Sequence, residues 1–295
     1  MSRQLRGFLA WSLWPGLLAA SIFLTDIVLR DGYGILGFNA VYISLAAALF
    51  ALERLLPYER RWLDNCGQIL PDLAHTLLNK GMAQGFVLMG TVFGIVLIFE
   101  PVSNGYWPRD WPLALQIVLG LTVSEAALYT AHRLSHEWPL LWRFHAVHHS
   151  VRRLWFWNTG RFHFVDTLVS IVLSVPLMLL AGAPEAVIIW ANAITAFIGM
   201  LTHCNVDLRC GPLSYLFNTP ELHRWHHSRK LSEGNKNYGE NLMVFDLLLG
   251  TFFLPRDRRP PVDIGIGDPM PPSFFGQLAQ PFRSCKRRLP AAAAE

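Results

Sequence analysis

Residues 111–149 read WPLALQIVLGLTVSEAALYTAHRLSHEWPLLWRFHAVHH, and the reading of this stretch decides the fold. From 111 to 131 it is apolar apart from a single acid, Glu125, and its length fits the ~20 residues that cross a bilayer as an α-helix. Directly beyond come His132-Arg-Leu-Ser-His136 and His145-Ala-Val-His148-His149. On a helix, residues three and four apart share a face, so each set aims two or three imidazoles at one point. The stretch predicts a membrane helix that runs straight into ligand-bearing helices.

Working outward, uncharged apolar runs recur at 7–25, 32–52, 81–99, 167–184 and 186–202. The last two are short, and Pro176 and Pro184 interrupt them, so the expected number of membrane segments is four to six. The first run follows Arg3 and Arg6 but is long for a cleaved leader, and it reads as a retained anchor. Composition agrees: 52% of residues are hydrophobic and 16% charged, with a mean hydropathy of +0.30. A soluble domain carries ~25% charge, so disordered and ordinary soluble chains are both excluded. The cysteines (Cys66, Cys204, Cys210, Cys285) form no CxxC pair, which excludes a disulfide scaffold and a thiolate zinc site.

Charge sets the orientation. Basic residues follow the second, fourth and sixth runs (Arg54, Arg60, Arg61; Arg133, Arg143, Arg152, Arg153, Arg161; Arg209, Arg224, Arg229, Lys230) and are sparse in the alternate loops. That pattern puts both termini and the histidine-rich loops in the cytoplasm. Arg far outnumbers Lys, as in a GC-rich bacterial genome, and the expected compartment is a bacterial inner membrane. The cations are spread by topology and form no groove-like patch, so nucleic acid is not an expected partner. The expected fold is all-α: a polytopic helical membrane protein with a cytoplasmic histidine-rich helical cap. Its parts are N-terminal membrane helices (1–110), a catalytic domain (111–256) and a loose C-terminal tail (257–295).

Of 11 His, ten lie between His132 and His227. The third set is His223-Arg-Trp-His226-His227, and His163 and His203 stand alone. Neutral imidazole suits iron, zinc, copper and nickel. Eight histidines in three sets exceed what one metal can use, so the arithmetic points to two metals in a nearly all-histidine site. A haem pair uses fewer histidines, placed within the spans. His132 and His136 continue the fourth run and His203 ends the sixth, which puts the metals just beneath the cytoplasmic interface. A substrate arriving there from the membrane is a lipid or another long apolar molecule. Metal affinity is expected to fall as pH drops through the imidazole range near ~6.5.

The three sets, in this order, resemble the fatty acid hydroxylase / sterol desaturase superfamily of membrane diiron oxygenases. Further matching pieces are Trp142-Arg-Phe-His145, Asn158-Thr-Gly-Arg161-Phe-His163, Asn218-Thr-Pro-Glu-Leu-His223, Asn237-Tyr-Gly-Glu-Asn-Leu, Asp246 and Gly250-Thr-Phe-Phe-Leu-Pro255, together covering roughly 115–256. The resemblance implies two Fe ions, O2 as co-substrate, and hydroxylation or desaturation of a lipid C–H bond. It also implies a separate electron donor, a ferredoxin or small cytochrome with its reductase. It maps His132, His136, His145, His148, His149, His223, His226 and His227 onto family ligands and adds His163 and His203. The chain departs from the family at Phe164, where Pro is usual, and at Phe245, where Trp is usual; neither departure removes a ligand.

Four residues are candidates to hydrogen-bond a ligand's outer nitrogen: Glu125, costly within a span, and Asp166, Asn205 and Asn237. Asp72 and His75 read as a helix cap and a packed histidine, Arg161 and Arg224 as contacts to lipid phosphate or a carboxylate, and Trp155, Phe156 and Trp157 as an interfacial anchor. Two rival readings remain open from the residues alone. One is a dizinc membrane hydrolase with Glu221 or Glu137 on a metal-bound water. The other is a non-catalytic metal-binding membrane protein.

Overall fold

A computed structural model describes residues 2–92 and 106–283. The described residues form an all-α protein with no strand beyond three isolated bridges. Helices α1 (Arg3–Arg30), α2 (Gly34–Leu55), α4 (Leu113–Glu137) and α7 (Glu185–His203) are long and apolar enough to cross a membrane. Helix α3 (Ile69–Val92) covers the start of the predicted 81–99 run, and the rest of that run lies outside the described residues. Helix α6 (Phe164–Leu180) is shorter, 17 residues. At 1.5 Å per residue it reaches about 25 Å, short of the ~30 Å hydrocarbon core.

The outward faces of α1 and α2 carry exposed Phe8, Phe23, Ile35, Leu36 and Ile43. This suits a chain whose solvent is lipid, and these helices show no polar outer stripe. Their inner faces meet through Trp14, Leu18, Val41, Leu45 and Leu49, which belong to the main core. Helix α4 is the pivot of the bundle and packs against both α6 and α7. Gly120 on α4 allows the close crossing, since a Cβ there would strike the Val187 side chain of α7.

Single residues set the turns that place the cap. Trp138 alone separates α4 from α5 (Pro139–His149); it caps one helix and starts the next, and Pro139 takes the first position, where no N–H is missed. Glu53, near the C-terminal end of α2, is buried and accepts the backbone N–H groups of Phe156 (2.8 Å) and Asn205 (2.9 Å). The N-terminal helices are thereby tied to the loops that carry the histidines.

Three expectations are corrected here. The tail after 256 is ordered as far as residue 283. Tyr58 and Trp62 donate to Pro260 O and Val262 O, Ile264 packs on Trp62, Val151 and Leu154, and α9 (Phe274–Ala279) docks Gln277 against His75. Residues 284–295 lie outside the described residues. Trp155 and Phe156 are buried instead of lying at an interface; the Trp155 indole N–H donates to Asp72 at 2.8 Å. Arg161 and Arg224 are buried as well. Arg161 pairs with Asp72 at 2.6 Å, and Arg224 donates to Cys204 O and Val206 O. A buried guanidinium needs such acceptors: Arg161 finds the carboxylate its reading allowed, while Arg224 finds backbone carbonyls in place of either expected partner.

Candidate metal centre

Four helix ends converge under the bundle: the last turns of α4, α5 and α7, and α8 (Pro220–His226). They sort nine imidazoles into two groups: His132, His136, His145, His149 and His226, and His148, His203, His223 and His227. Within each group one ring nitrogen per residue lies within 4.8 Å of the others. Each HxxHH set straddles both groups. His145 and His149, one turn apart, face the first and His148 faces the second; His223 and His227 face the second and His226 the first. Helical spacing produces this split, because a residue at i+3 points about 60° away from i and about 100° away from i+4.

Outer-nitrogen partners determine the tautomers. The Nδ1 atoms of His132, His226, His148 and His203 lie 2.7, 2.7, 3.2 and 2.8 Å from the carbonyl oxygens of Tyr238, Lys236, Arg161 and Gly199. A carbonyl only accepts, so these Nδ1 atoms donate and each Nε2 keeps a bare lone pair. His145 Nδ1 is 2.8 Å from Asp166 Oδ2, and His136 Nδ1 is 3.1 Å from Asn235 Oδ1. The Nε2 atoms then gather. Those of His203 and His223 are 2.9 Å apart, His148 and His227 3.1 Å, His145 and His149 3.0 Å, and His136 and His149 3.1 Å. His132 Nε2 and His226 Nε2 are buried with no hydrogen-bond partner among the described residues. His149, His223 and His227 have no Nδ1 acceptor among the described residues, so their Nε2 atoms can donate to these lone pairs or join them on a cation; five and four ring nitrogens in two compact groups, with the His132 and His226 lone pairs orphaned, fit a metal ion in each.

Electrostatics agree. Burial, reinforced by neighbouring imidazoles, holds His148, His149, His223, His226 and His227 well below the ordinary imidazole pKa, so these rings are neutral. The expected loss of metal affinity near pH ~6.5 therefore moves to more acidic pH.

The single candidates fare unequally. Asp166 bonds a ligand's outer nitrogen and is itself held by Ser135 at 3.3 Å. Glu125 acts one step further out: its carboxylate accepts the N–H groups of Glu240 (2.6 Å), Asn241 (2.9 Å) and Leu242 (3.1 Å), fixing the loop whose Tyr238 carbonyl holds His132. Asn237, at φ 57°, donates to Leu222 O and Phe253 O, pinning the segment between the Lys236 and Tyr238 carbonyls. Asn205 bonds the Glu59 backbone and no ligand. His203 joins the second group; His163 joins neither. His163 caps α6 by accepting the Val165 N–H on Nδ1 and donates from Nε2 to Leu278 O at 3.1 Å, so neither nitrogen offers a lone pair. His75 is packed, on Gln277 and the Phe274 ring. Sequence reasoning missed Asn235 and the four carbonyls, which carry no side-chain signal at all.

A cavity of about 290 Å3 adjoins both groups, with His132, His148, His203, His223, Phe162 and Glu240 in its wall. Phe162 stacks on the His148 ring at 4.2 Å, 4° from parallel, and covers one edge of the site.

Membrane helices, a double imidazole cage and an adjoining cavity define the class: the chain is an integral membrane oxidoreductase and belongs to the fatty acid hydroxylase family, whose pattern matches residues 117–251. It is 52% identical over 276 residues to ornithine lipid hydroxylase OlsE of Rhizobium tropici, covering 92% of this chain and 83% of that one. It is 31% identical over 221 residues to alkylglycerol monooxygenase of Danio rerio, covering 74% of this chain and 49% of the relative, so it spans about half of that protein. Against the Homo sapiens alkylglycerol monooxygenase the identity is 32% over 125 residues, 42% of this chain and 27% of the other. No solved structure matches the chain.

Proposed function

We propose that the nine grouped imidazoles hold two iron ions and that the protein hydroxylates a C–H bond of a membrane lipid. The overall change is C–H + O2 + 2 electrons + 2 protons giving C–OH + H2O, with the electrons drawn from a separate ferredoxin or small cytochrome and its reductase. The lipid is of the ornithine lipid class, on the strength of the similarity to the Rhizobium tropici hydroxylase over nearly the whole chain. Hydroxylation is preferred over desaturation because the relatives cited above carry hydroxylase or monooxygenase names. The catalytic part is 111–256, which contains the matched 117–251. The site lies on the cytoplasmic side of a bacterial inner membrane, as the basic loops favour.

The observation that carries this reading is the convergence of buried ring nitrogens in two adjoining groups. Bound iron supplies oxygen activation and hydrogen abstraction at the cavity. The protein's residues do the rest. Asp166, Asn235 and the backbone carbonyls fix ring orientation and tautomer. Neutral rings leave a bound ion's charge largely uncompensated, which favours the ferrous state. No carboxylate belongs to either described group, and Glu137, a candidate base for a hydrolase, is exposed and paired with Arg133 at 2.8 Å. The test is oxygen uptake and lipid mass spectrometry with purified protein and an electron donor. Uptake with a product heavier by one oxygen supports the reading, whereas zinc-loaded protein that cleaves lipid without consuming oxygen overturns it.

A further inference from the structure

Glu240 belongs to no metal group, yet it lines the cavity beside four of the ligands. Its backbone N–H is fixed on Glu125, which sets where the side chain starts. Its carboxylate has no hydrogen bond or ion pair with any described residue. Burial and the nearby acids Glu125 and Asp166 push its pKa up to about 8. The described wall of the cavity contains no Lys or Arg. It does contain further acceptors, and beside Glu240 the Asn241 amide, whose Oδ1 and Nδ2 are both buried and unpartnered among the described residues. Asn79 spends its amide N–H groups on Gly160 O and Phe162 O, and Asn218 spends its own on Gly239 O. Their Oδ1 atoms are buried and unpartnered among the described residues. Most of the wall is apolar and suits an acyl chain; the acceptors form a local polar end beside Glu240. A primary ammonium, with three donors and one positive charge, matches it.

We propose that Glu240 is the residue that selects the substrate, its carboxylate receiving a primary ammonium carried by the lipid, with the amide oxygens of Asn79 and Asn218 as further acceptors. The proposal rests on the lipid-hydroxylase reading above. In a cavity walled off from water such a pair is far stronger than at a surface, because little solvent screens it. With a neutral lipid the Glu240 side chain stays a protonated acid and forms no ion pair, so such lipids lack the contact that an ammonium gains. The competing role for Glu240 is to balance the charge of the metals without touching substrate.

The test uses metal-loaded protein in nanodiscs without an electron donor, so that binding is read apart from turnover. The probes are ornithine lipid and the same lipid with its amine acetylated. Wild-type protein is expected to bind the free amine on the order of tenfold or more tightly than the amide. Glu240→Gln should bring that ratio to about one with metal content unchanged, and Glu240→Asp should retain part of it. Equal binding of the two probes by wild type, or full discrimination by Glu240→Gln, overturns the proposal and leaves the hydroxylase reading intact. Loss of metal from Glu240→Gln, with full discrimination restored once that variant is reloaded with metal, assigns the residue to charge balance and likewise overturns it. Binding of neither probe by wild type overturns the lipid reading and this proposal together.

Discussion

The two imidazole groups are built differently. In the group of His132, His136, His145, His149 and His226, four outer nitrogens are held by Tyr238 O, Asn235, Asp166 and Lys236 O. In the group of His148, His203, His223 and His227, only the first two are held, by Arg161 O and Gly199 O; Nδ1 of His223 and of His227 is buried without a described partner. A held ring is already in the right tautomer and orientation before a metal arrives, whereas an unheld ring must give up freedom when it binds. The five-ring group is therefore the preorganised, tighter site and the four-ring group the looser one. Because each HxxHH set feeds both, neighbouring substitutions separate them.

The largest effect tests that separation. His226→Ala and His227→Ala should each reduce hydroxylation by a factor of 10³ or more, on the order of ~4 kcal/mol of transition-state stabilisation. The first should strip the five-ring site and the second the four-ring site, read as which metal is lost on graded chelation. If both variants lose the same metal, the partition fails.

Asp166→Asn comes next. It keeps the hydrogen bond's geometry but removes the charge behind His145, and it should weaken the five-ring site by about 10–100-fold while leaving the four-ring site unchanged. A matching change at both sites would mean that the two groups are not independent.

Acid acts on both groups. The folded-state pKa values of His148, His149, His223, His226 and His227 are depressed, so below about pH 6.5 the unfolded chain binds more protons at these rings than the folded protein does. The stability these rings contribute is complete above that pH and is lost as pH falls below it. Denaturant unfolding of chelated protein across pH 5 to 8 reads this directly; stability that rises on acidification contradicts it.

The smallest effect belongs to the histidine outside both groups. His163→Asn retains a helix-capping side chain and should leave the metal content and the chelation profile unchanged, with at most about 1 kcal/mol of stability lost with the Leu278 contact.

The three sets were legible because 3.6 residues per turn brings rings at i and i+4 onto one face, but the expectation that each set aims at one point fails for both HxxHH sets, whose i+3 ring turns to the other group. His163 and His203 looked alike in sequence. What separates them is a helix boundary: His203 ends α7 with its ring turned into the cage, while His163 begins α6 and spends its lone pair on the first turn. Asp166 was readable because a carboxylate declares itself as an acceptor. The Tyr238 and Lys236 carbonyls were not, since every residue has one. Asn205 and Asn237 were read one layer too close to the metals; each holds backbone that in turn positions the site. The segment 257–283 shows no helical period, so its docking through Pro260, Val262, Ile264 and Gln277 has no trace in sequence pattern. Trp155 and Phe156 misled because clustered aromatics at span ends are common membrane anchors.

The most direct test of the account is the metal stoichiometry and ligand shell of protein purified from iron-replete cells, by elemental analysis with X-ray absorption at the iron edge. The account predicts two irons per chain, each in a shell of imidazole nitrogen. A single metal per chain, or a shell dominated by carboxylate oxygen or sulfur, would contradict it.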